Sequence, residues 1–206
     1  MNTDNMNFLS IDCSTDLGSL FIKVENKTFI KNLQSDKYNN DLLMKQILDF
    51  FTDNELNFGD ISNILVNQGP GNFSSLRGSL ATAKGISLAK NLKLYGYNTF
   101  LWSCVKFFGK KDLICSLAKH RDKFFIKKFD KKLISVSGIK EITKDEIIQQ
   151  HNCNVKVITK NSAQYFDEQI LKLSNVNIVT LDHEELEFLI LEDLMEKNLV
   201  RPIYLS

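Results

Sequence analysis

The first third of the chain alternates short apolar runs with one segment of helical period. Phe8 to Cys13 predicts a strand, and two further runs, 19–24 and 28–33, predict a hairpin across Glu25-Asn26-Lys27. From Asp41 to Phe51 the apolar residues recur at close to 3.6 positions. That spacing predicts a helix with a broad apolar face.

A buried strand leading into a glycine-bounded turn is the most distinctive local pattern. Ile61 to Val66 predicts the strand, and Gly69-Pro70-Gly71 follows it directly. A turn at the end of a buried strand is a common place for a ligand or a close backbone contact. We predict a helix from Ser74 or Ser75 to Lys90, a strand at 93–97 and a helix at about 99–108.

Beyond residue 105 glycine thins out and lysine becomes frequent, so we place a lobe boundary there, between residues 1–105 and a smaller lobe, 106–206. The alternation of strands and helices predicts an α/β architecture in two lobes. The last predicted element is an acidic helix at about 184–198. The other predicted elements of this lobe are strands at 112–117, 123–129, 132–136, 154–158 and 176–181, and helices near 143–150 and 161–173.

Charge and apolar content narrow the class of protein. There are 26 Lys and Arg against 25 Asp and Glu, so the net charge of +1 draws the whole molecule to neither nucleic acid nor an anionic membrane. Apolar runs fall short of the roughly 20 residues that span a bilayer. The polar segment Met1 to Asn7 lacks the features of a signal peptide, so we expect a cytoplasmic protein.

The four cysteines and three histidines are scattered along the chain, with no closely spaced pair of cysteines. A structural zinc site needs closely spaced ligands. Reduced cysteines in the core are the simpler interpretation. We therefore expect no disulfide and no metal.

A stripe of small residues follows the helix after the glycine-bounded turn, at spacings of four, three and four. Two glycines inside a helix each cost about 1 kcal/mol relative to alanine, so a close contact should compensate for them. That contact is either the protein's own sheet or a partner helix. The stripe consists of Gly78, Thr82, Gly85 and Ala89.

Asp12, Ser14 and Thr15 end the first strand in a pattern similar to the first phosphate loop of the actin and hexokinase-like fold. One alternative function is therefore a small actin-like, ATP-dependent phosphotransferase. Such an enzyme also needs a second acidic-glycine loop and a glycine-rich adenosine loop, and the second half has only isolated Gly109 and Gly138. We therefore expect no nucleotide cofactor.

Residues 106–132 contain ten Lys or Arg against three Asp, interleaved with five phenylalanines. Such a strip could follow RNA phosphates and stack bases, which makes an RNA-binding module another alternative. The competing interpretation is a pair of strands with lysines outside and phenylalanines in the core.

Three segments in order resemble one family. Phe8 to Thr15 is similar to its "IDTST" strand and loop, and Arg201 to Leu205 to its "PxYL" ending. The run from Asn67 to Gly85 resembles its "GPGSFTGLR…LATAKG" signature, in which Gly69, Pro70, Gly71 and Arg77 are present. The family is TsaB (YeaZ), the dimerisation subunit of the bacterial machinery that makes threonylcarbamoyladenosine in tRNA.

The resemblance implies an actin-like, two-lobed fold with a degenerate and reduced second lobe. It also implies a non-catalytic subunit that pairs with a TsaD-type transferase, helps to recruit a TsaE-type ATPase, and meets tRNA indirectly through the complex. In that case Asp12, Ser14 and Thr15 form a vestigial phosphate loop. We expect the partner interface at Leu42, Leu43 and Ile47 together with the small-residue stripe, and the same apolar face allows a homodimer of the isolated chain.

Overall fold

The computed structural model describes most of the chain, namely residues 6–15, 18–33, 41–149, 153–197 and 200–205. Residues 1–5, on which the expected location partly depends, lie outside the described residues, as does the end of the predicted terminal helix at Asn198. No helix among the described residues is long and apolar enough to cross a membrane.

The first compact unit combines the described part of Met1–Thr99 with Met195–Tyr204. Its elements are β1 (Phe8–Asp12), β2 (Ser19–Val24), β3 (Lys27–Asn32), α1 (Asp41–Asp53), β4 (Asn63–Asn67), α2 (Phe73–Lys90) and β5 (Lys93–Tyr97). The sheet has the order β3-β2-β1-β4-β5. Strands β1, β2 and β3 are antiparallel, whereas β4 is parallel to β1 and to β5.

The core of this unit lies between the sheet and the two helices. β1 and β4 are buried along their whole length, as expected of central strands in a parallel arrangement. Leu9 and Ile11 pack in one cluster with Ile47 of α1 and with Leu80 and Ala83 of α2. The apolar face predicted for α1 therefore faces its own sheet.

The second unit comprises Phe100–Leu194 with Leu205–Ser206, of which Ser206 and residues 150–152 are not described. A 3₁₀ turn at Val105–Phe107 follows its first helix. Its other elements are α3 (Thr99–Trp102), β6 (Leu113–His120), β7 (Lys123–Asp130), β8 (Lys140–Ile142), α4 (Lys144–Gln149), β9 (Val155–Thr159), α5 (Lys160–Ala163), α6 (Glu168–Leu171), β10 (Val176–Val179) and α7 (Glu185–Leu191).

Both units contain the same sheet topology. The second sheet, read from the edge at β8, has the order β8-β7-β6-β9-β10, which is the order of the first sheet with each strand number raised by five. β6, β7 and β8 are antiparallel, whereas β9 is parallel to β6 and β10, as in the first sheet. Two α/β units of one topology are typical of the actin-like and hexokinase-like fold, and the predicted fold class is confirmed.

The division between the units differs from the predicted boundary after residue 105. Phe100 already groups with the second unit, whereas Met195–Tyr204 returns to the first. In this C-terminal strap, as we call Met195–Tyr204, Glu196 exchanges two backbone hydrogen bonds with Gly96 on β5. The terminal helix accordingly ends at Leu191, and Asp193 takes a left-handed conformation with φ 57°.

Three predicted elements were wrong. The helix at 99–108 is broken into α3 and a 3₁₀ turn, and the helix at 161–173 is broken into α5 and α6. The strand at 132–136 is a turn, because Asp130 Oδ1 accepts hydrogen bonds from the amides of Lys132 and Ile134. An Asp side chain that binds nearby amides competes with strand pairing.

The expectation of no disulfide is also wrong. Cys115 and Cys153 are bonded, with their Cα atoms 6.1 Å apart and a sequence separation of 38 residues. Cys115 lies on β6, and Cys153 precedes β9, which pairs with β6. Strand pairing brings the two thiols together, and no spacing in the sequence indicates it.

We predict that the double variant Cys115→Ser/Cys153→Ser unfolds its second unit at a lower urea concentration than the oxidised protein. A closed loop of this length stabilises a fold by about 4 kcal/mol in the chain-entropy model. Urea titration by near-UV circular dichroism, with and without dithiothreitol, measures the difference. Cys13→Ser is the control, since Cys13 is a free thiol; an oxidised wild type that unfolds together with the double variant contradicts the prediction.

Candidate functional site

The turn after β4, which we call the GPG turn (Gly69-Pro70-Gly71), is tightly held. The Gly69–Pro70 peptide bond is cis, and Gly69 has φ +104°, a conformation that favours glycine. A Cβ on Gly69 would lie 2.8 Å from Leu76 Cδ1 and 2.9 Å from Ile203 O. The turn therefore lies between the first turns of α2 and the C-terminal strap, and accepts no larger residue at Gly69.

The loop after β1, which we call the acidic loop (Asp12–Thr15), ends its strand in a similar way. Asp12 Oδ1 accepts a 2.8 Å hydrogen bond from the Ser14 amide, and Asn67 Oδ1 at the end of β4 accepts one of 2.9 Å from the Gly69 amide. Both are turns in which a side chain binds the amide two residues ahead. Because β1 and β4 are parallel neighbours, the two turns lie side by side.

Direct contacts join the acidic loop to the GPG turn. Asn67 is fully buried, and its Nδ2 donates to Ser14 Oγ at 3.2 Å and to Thr99 Oγ1 at 3.1 Å. A Cβ on Gly71 would overlap the backbone of Ser14. The GPG turn thus packs directly on the acidic loop.

Burial sets the electrostatics of this region. Burial, and secondarily the charge of Asp12, raise the pKa of the Cys13 thiol to about 12. The same two causes raise the pKa of Tyr97 well above its usual value, and its hydroxyl is 2.9 Å from Ser10 Oγ. Both groups are neutral at physiological pH, so neither supplies a nucleophile there.

Burial and internal hydrogen bonds restrict the acidic loop to a structural role. Asp12 and Ser14 are nearly fully buried and hydrogen-bonded within the fold, and Thr15 is half-buried. Among the described residues, no group of three or more His, Cys, Asp or Glu is placed to hold a metal ion. The loop serves to fix the GPG turn and the start of α2, where Asn72 caps the amides of Ser74 and Ser75.

The residues expected at a partner interface fall into two groups. Leu43 and Ile47 lie in the core of the first unit, so neither presents an accessible side chain, and Leu42 is half-buried. Gly85 and Ala89 are exposed, and a Cβ on Gly85 would have no neighbour within 4 Å. Gly78 and Thr82, on the same side of α2, are half-buried.

Exposed apolar side chains accompany the accessible part of the stripe. Leu88 of α2 is 84% exposed, and Met44 and Leu48 of α1 are also exposed. The helix pattern places Leu88 within one turn of Gly85. Arg77, the arginine of the signature, is exposed on α2, with its guanidinium 5.0 Å from the centre of the Phe73 ring.

The basic strip at 106–132 is a pair of strands rather than a stacking surface. Phe124, Phe125 and Phe129 are buried in the second unit, whereas Phe107 and Phe108 are half-buried. Phe124 packs in the cluster that contains the disulfide, and Phe125 and Phe129 belong to the opposite face of β7. A base cannot stack on a covered ring, so the burial of three of the five phenylalanines favours the interpretation as a pair of strands with phenylalanines in the core.

Three residues of the site were missed from the sequence. Asn67 and Thr99 anchor the two turns, and Gln68 binds the strap through Nε2 to Arg201 O at 2.9 Å. The signal available was the pair of amide residues Asn67 and Gln68 directly after the apolar run Ile64-Leu65-Val66, since buried polar side chains are almost always hydrogen-bonded.

The comparisons with known proteins point to one group. A family model described as TsaD, tRNA N6-adenosine threonylcarbamoyltransferase, matches residues 34–118. A curated relative from Buchnera aphidicola subsp. Baizongia pistaciae, "tRNA threonylcarbamoyladenosine biosynthesis protein TsaB", is 34% identical over 86 residues. That alignment spans 41% of this chain and 38% of the relative, so the matched segment is well under half of either protein.

Solved structures extend the likeness of fold to nearly the whole chain. YeaZ from Pseudomonas aeruginosa superimposes with a TM-score of 0.72 at 12% identity, covering 97% of this chain and all of that one. The ethanolamine utilization protein EutJ from Carboxydothermus hydrogenoformans gives a TM-score of 0.50 at 9% identity, over 82% of this chain and 83% of that one. At such identities the match concerns the fold.

Gly71→Ala tests the packing of the two turns. We expect it to lower the free energy of unfolding by more than about 2 kcal/mol, because the new Cβ meets backbone that has no room to move. Gly85→Ala is the matched control: it meets nothing, and should raise stability by about 1 kcal/mol through helix propensity. Denaturant titration compares them, and equal stabilities of the two variants would argue against the packing.

The Cys13 thiol should be unreactive at neutral pH, because its raised pKa leaves it protonated. Iodoacetamide labelling followed by mass spectrometry over pH 7 to 10 measures this directly. Asp12→Asn removes the adjacent negative charge and should speed labelling at each pH. If Cys13 of the wild type is labelled as fast as a solvent-exposed cysteine of ordinary pKa, its pKa is not raised.

Proposed function

We propose that the chain is a member of the TsaB (YeaZ) family and acts as a non-catalytic, activating subunit of a complex that forms threonylcarbamoyladenosine in tRNA. In this proposal it pairs with a TsaD-type transferase in the cytoplasm, helps to recruit a TsaE-type ATPase and meets tRNA through the complex. The observation that carries the proposal is the small-residue side of α2, which we call the smooth face (Gly78, Thr82, Gly85 and Ala89) and of which Gly85 and Ala89 are exposed. The acidic loop supports it, because its polar groups are hydrogen-bonded within the protein.

The face of α2 supports a helix-to-helix contact. Its small residues Gly85 and Ala89 leave the backbone accessible, and exposed Leu88 supplies an apolar side chain beside them. Two glycines in an 18-residue helix are costly, and Gly85 has no compensating contact within the described part of the chain. A partner helix approaching closely at Gly85 would supply that compensation.

The proposed interface therefore differs in part from the expected one. We retain Gly78, Thr82, Gly85 and Ala89, with Leu42 at the margin, and place Leu88 and exposed Met44 and Leu48 where Leu43 and Ile47 were expected. The α1 and α2 helices pack together on the same sheet, so both present residues to one partner. The same face would allow a second copy to bind when the transferase is absent.

The closed acidic loop supports an accessory rather than a phosphotransferase role. Phosphate loops bind through free amides and hydroxyls. Here the Ser14 amide binds Asp12, the Ser14 hydroxyl binds Asn67, and the GPG turn lies against the Ser14 backbone. A nucleotide at this loop would have to displace the GPG turn from its contact with the first strand.

We predict that Leu88→Glu abolishes recovery of the transferase while leaving the chain folded. The substitution places a charge at the centre of the proposed contact, where loss of one anchor should weaken binding at least about tenfold. The measurement is co-purification of the tagged chain from its own cells, followed by size-exclusion chromatography and mass spectrometry.

Ile134→Glu is the matched control, because Ile134 is 56% exposed and belongs to the second unit. The Ile134→Glu variant should recover as much of the transferase as the wild-type chain does. Gly85→Leu provides a second variant, since it fills the smooth face without adding charge. Full recovery with both Leu88→Glu and Gly85→Leu would rule out this interface, and a wild-type chain that travels alone would rule out the proposed function.

A further inference from the structure

A second exposed feature lies at the start of α2, away from the smooth face. The ring of Phe73 is 56% exposed and lies 4.9 Å from the ring of Tyr204, which is 42% exposed. The Arg77 guanidinium lies 5.0 Å from the Phe73 ring. We call these three residues the aromatic patch, and each is largely open to solvent although the rings are apolar.

The framework beneath the aromatic patch is rigid. Asn72 caps α2 directly before Phe73, and the backbone of Ile203 donates to Gln68 O at 2.7 Å directly before Tyr204. Gln68 also holds the carbonyl of Arg201. The rings are therefore presented by two anchored segments, so little ordering is needed when a planar ligand stacks on them.

The helix that carries the aromatic patch has basic but no acidic side chains. α2 contains no Asp or Glu, and its Arg77 and Lys84 are exposed. Arg201 is exposed in the C-terminal strap, which has no acid after Glu196. Open aromatic rings rimmed by cations suit a ligand that combines planar groups with negative charge.

We propose that the aromatic patch binds unpaired nucleotides of RNA, with a base stacked on Tyr204 and Phe73 and phosphates near Arg77 and Arg201. Base stacking on aromatic rings and cations along the backbone are the two means by which proteins hold single-stranded nucleic acid. The choice of RNA over DNA rests on the proposed function. Phe124, Phe125 and Phe129 of the basic strip are buried, whereas Phe73 and Tyr204 are exposed and adjacent.

The aromatic patch and the smooth face use different stretches of α2. Arg77 lies in the second turn of the helix, whereas Gly85, Leu88 and Ala89 follow it by eight to twelve residues, about 12 to 18 Å along the axis. A partner helix that contacts α2 at Gly85, Leu88 and Ala89 would therefore leave Arg77 accessible. RNA binding and pairing can therefore be tested separately.

The test is fluorescence anisotropy of a fluorescein-labelled 12-nucleotide RNA with the full chain, over a range of salt concentrations. Tyr204→Ala should weaken binding about tenfold, since stacking of one base is worth roughly 1 to 3 kcal/mol. Arg77→Gln should lower the slope of log K against log salt by about 0.7, the value for one phosphate contact to a single strand. Tyr204→Phe keeps the ring and should bind as the wild type does.

Tyr165→Ala is the matched control, because Tyr165 is a 55% exposed tyrosine in the second unit. Far-UV circular dichroism and thermal melting of each variant check that the C-terminal strap remains in place, and Phe73→Ala repeats the test from the helix side. Failure of the wild type to bind at low salt, or an equal loss with Tyr165→Ala, would overturn the proposal. Polyglutamate that competes as well as RNA, with no effect of Tyr204→Ala, would show a general anion surface and would also overturn it.

A separate readout distinguishes this proposal from the proposed function. Tyr204→Ala should still recover the transferase on co-purification, because the smooth face of α2 is unchanged. Recovery of the transferase by a wild type that does not bind RNA would count against the aromatic patch alone. RNA binding by a wild type that recovers no transferase would support the aromatic patch and count against the proposed function.

Discussion

The contact on which the first unit depends is between two turns. β1 and β4 run side by side, and the loops that leave them meet at Ser14 and Gly71 with no space for a side chain between them. Asn67, fully buried, binds both the acidic loop and Thr99. Loss of any of these polar contacts would leave a buried group unsatisfied, which costs more than the hydrogen bond itself contributes.

The junction of the two turns has a structural role in the first unit. Asp12 Oδ1 accepts from the Ser14 amide, Ser14 Oγ accepts from Asn67 Nδ2, and Asn67 Oδ1 accepts from the Gly69 amide of the GPG turn. The GPG turn in turn sets where α2 begins, and the C-terminal strap binds its other side through Gln68. The acidic loop, the start of α2 and the end of the chain therefore form one connected arrangement.

α2 then has three surfaces with different uses. Leu76, Leu80 and Ala83 are buried in the first unit. Gly85 and Ala89 leave a smooth face open, and Arg77 lies on a basic edge beside two exposed rings. An 18-residue helix with three surfaces can be held by its own sheet and still meet two other molecules, as the two proposals require.

Local elements with strong patterns were predicted accurately. β2 and β5 match residue for residue, and β1 matches within one residue. α2 begins one or two residues before the predicted start, because the cap is Asn72 rather than a serine. Elements whose ends depend on distant contacts were predicted less accurately. The acidic segment continues to Asn198 in its pattern, but Glu196 pairs with Gly96, and the helix ends at Leu191.

The sequence by itself determined the α/β class, the central strands and the signature run, because hydrophobic period and turn residues act over a few positions. Only the tertiary structure decided which apolar residues of α1 face inward, that Cys115 meets Cys153, and that the end of the chain returns to β5. It also decided that Phe124, Phe125 and Phe129 are buried whereas Phe73 and Tyr204 are exposed. Each of these depends on pairs of residues far apart in the chain, and such pairs leave no local pattern to detect.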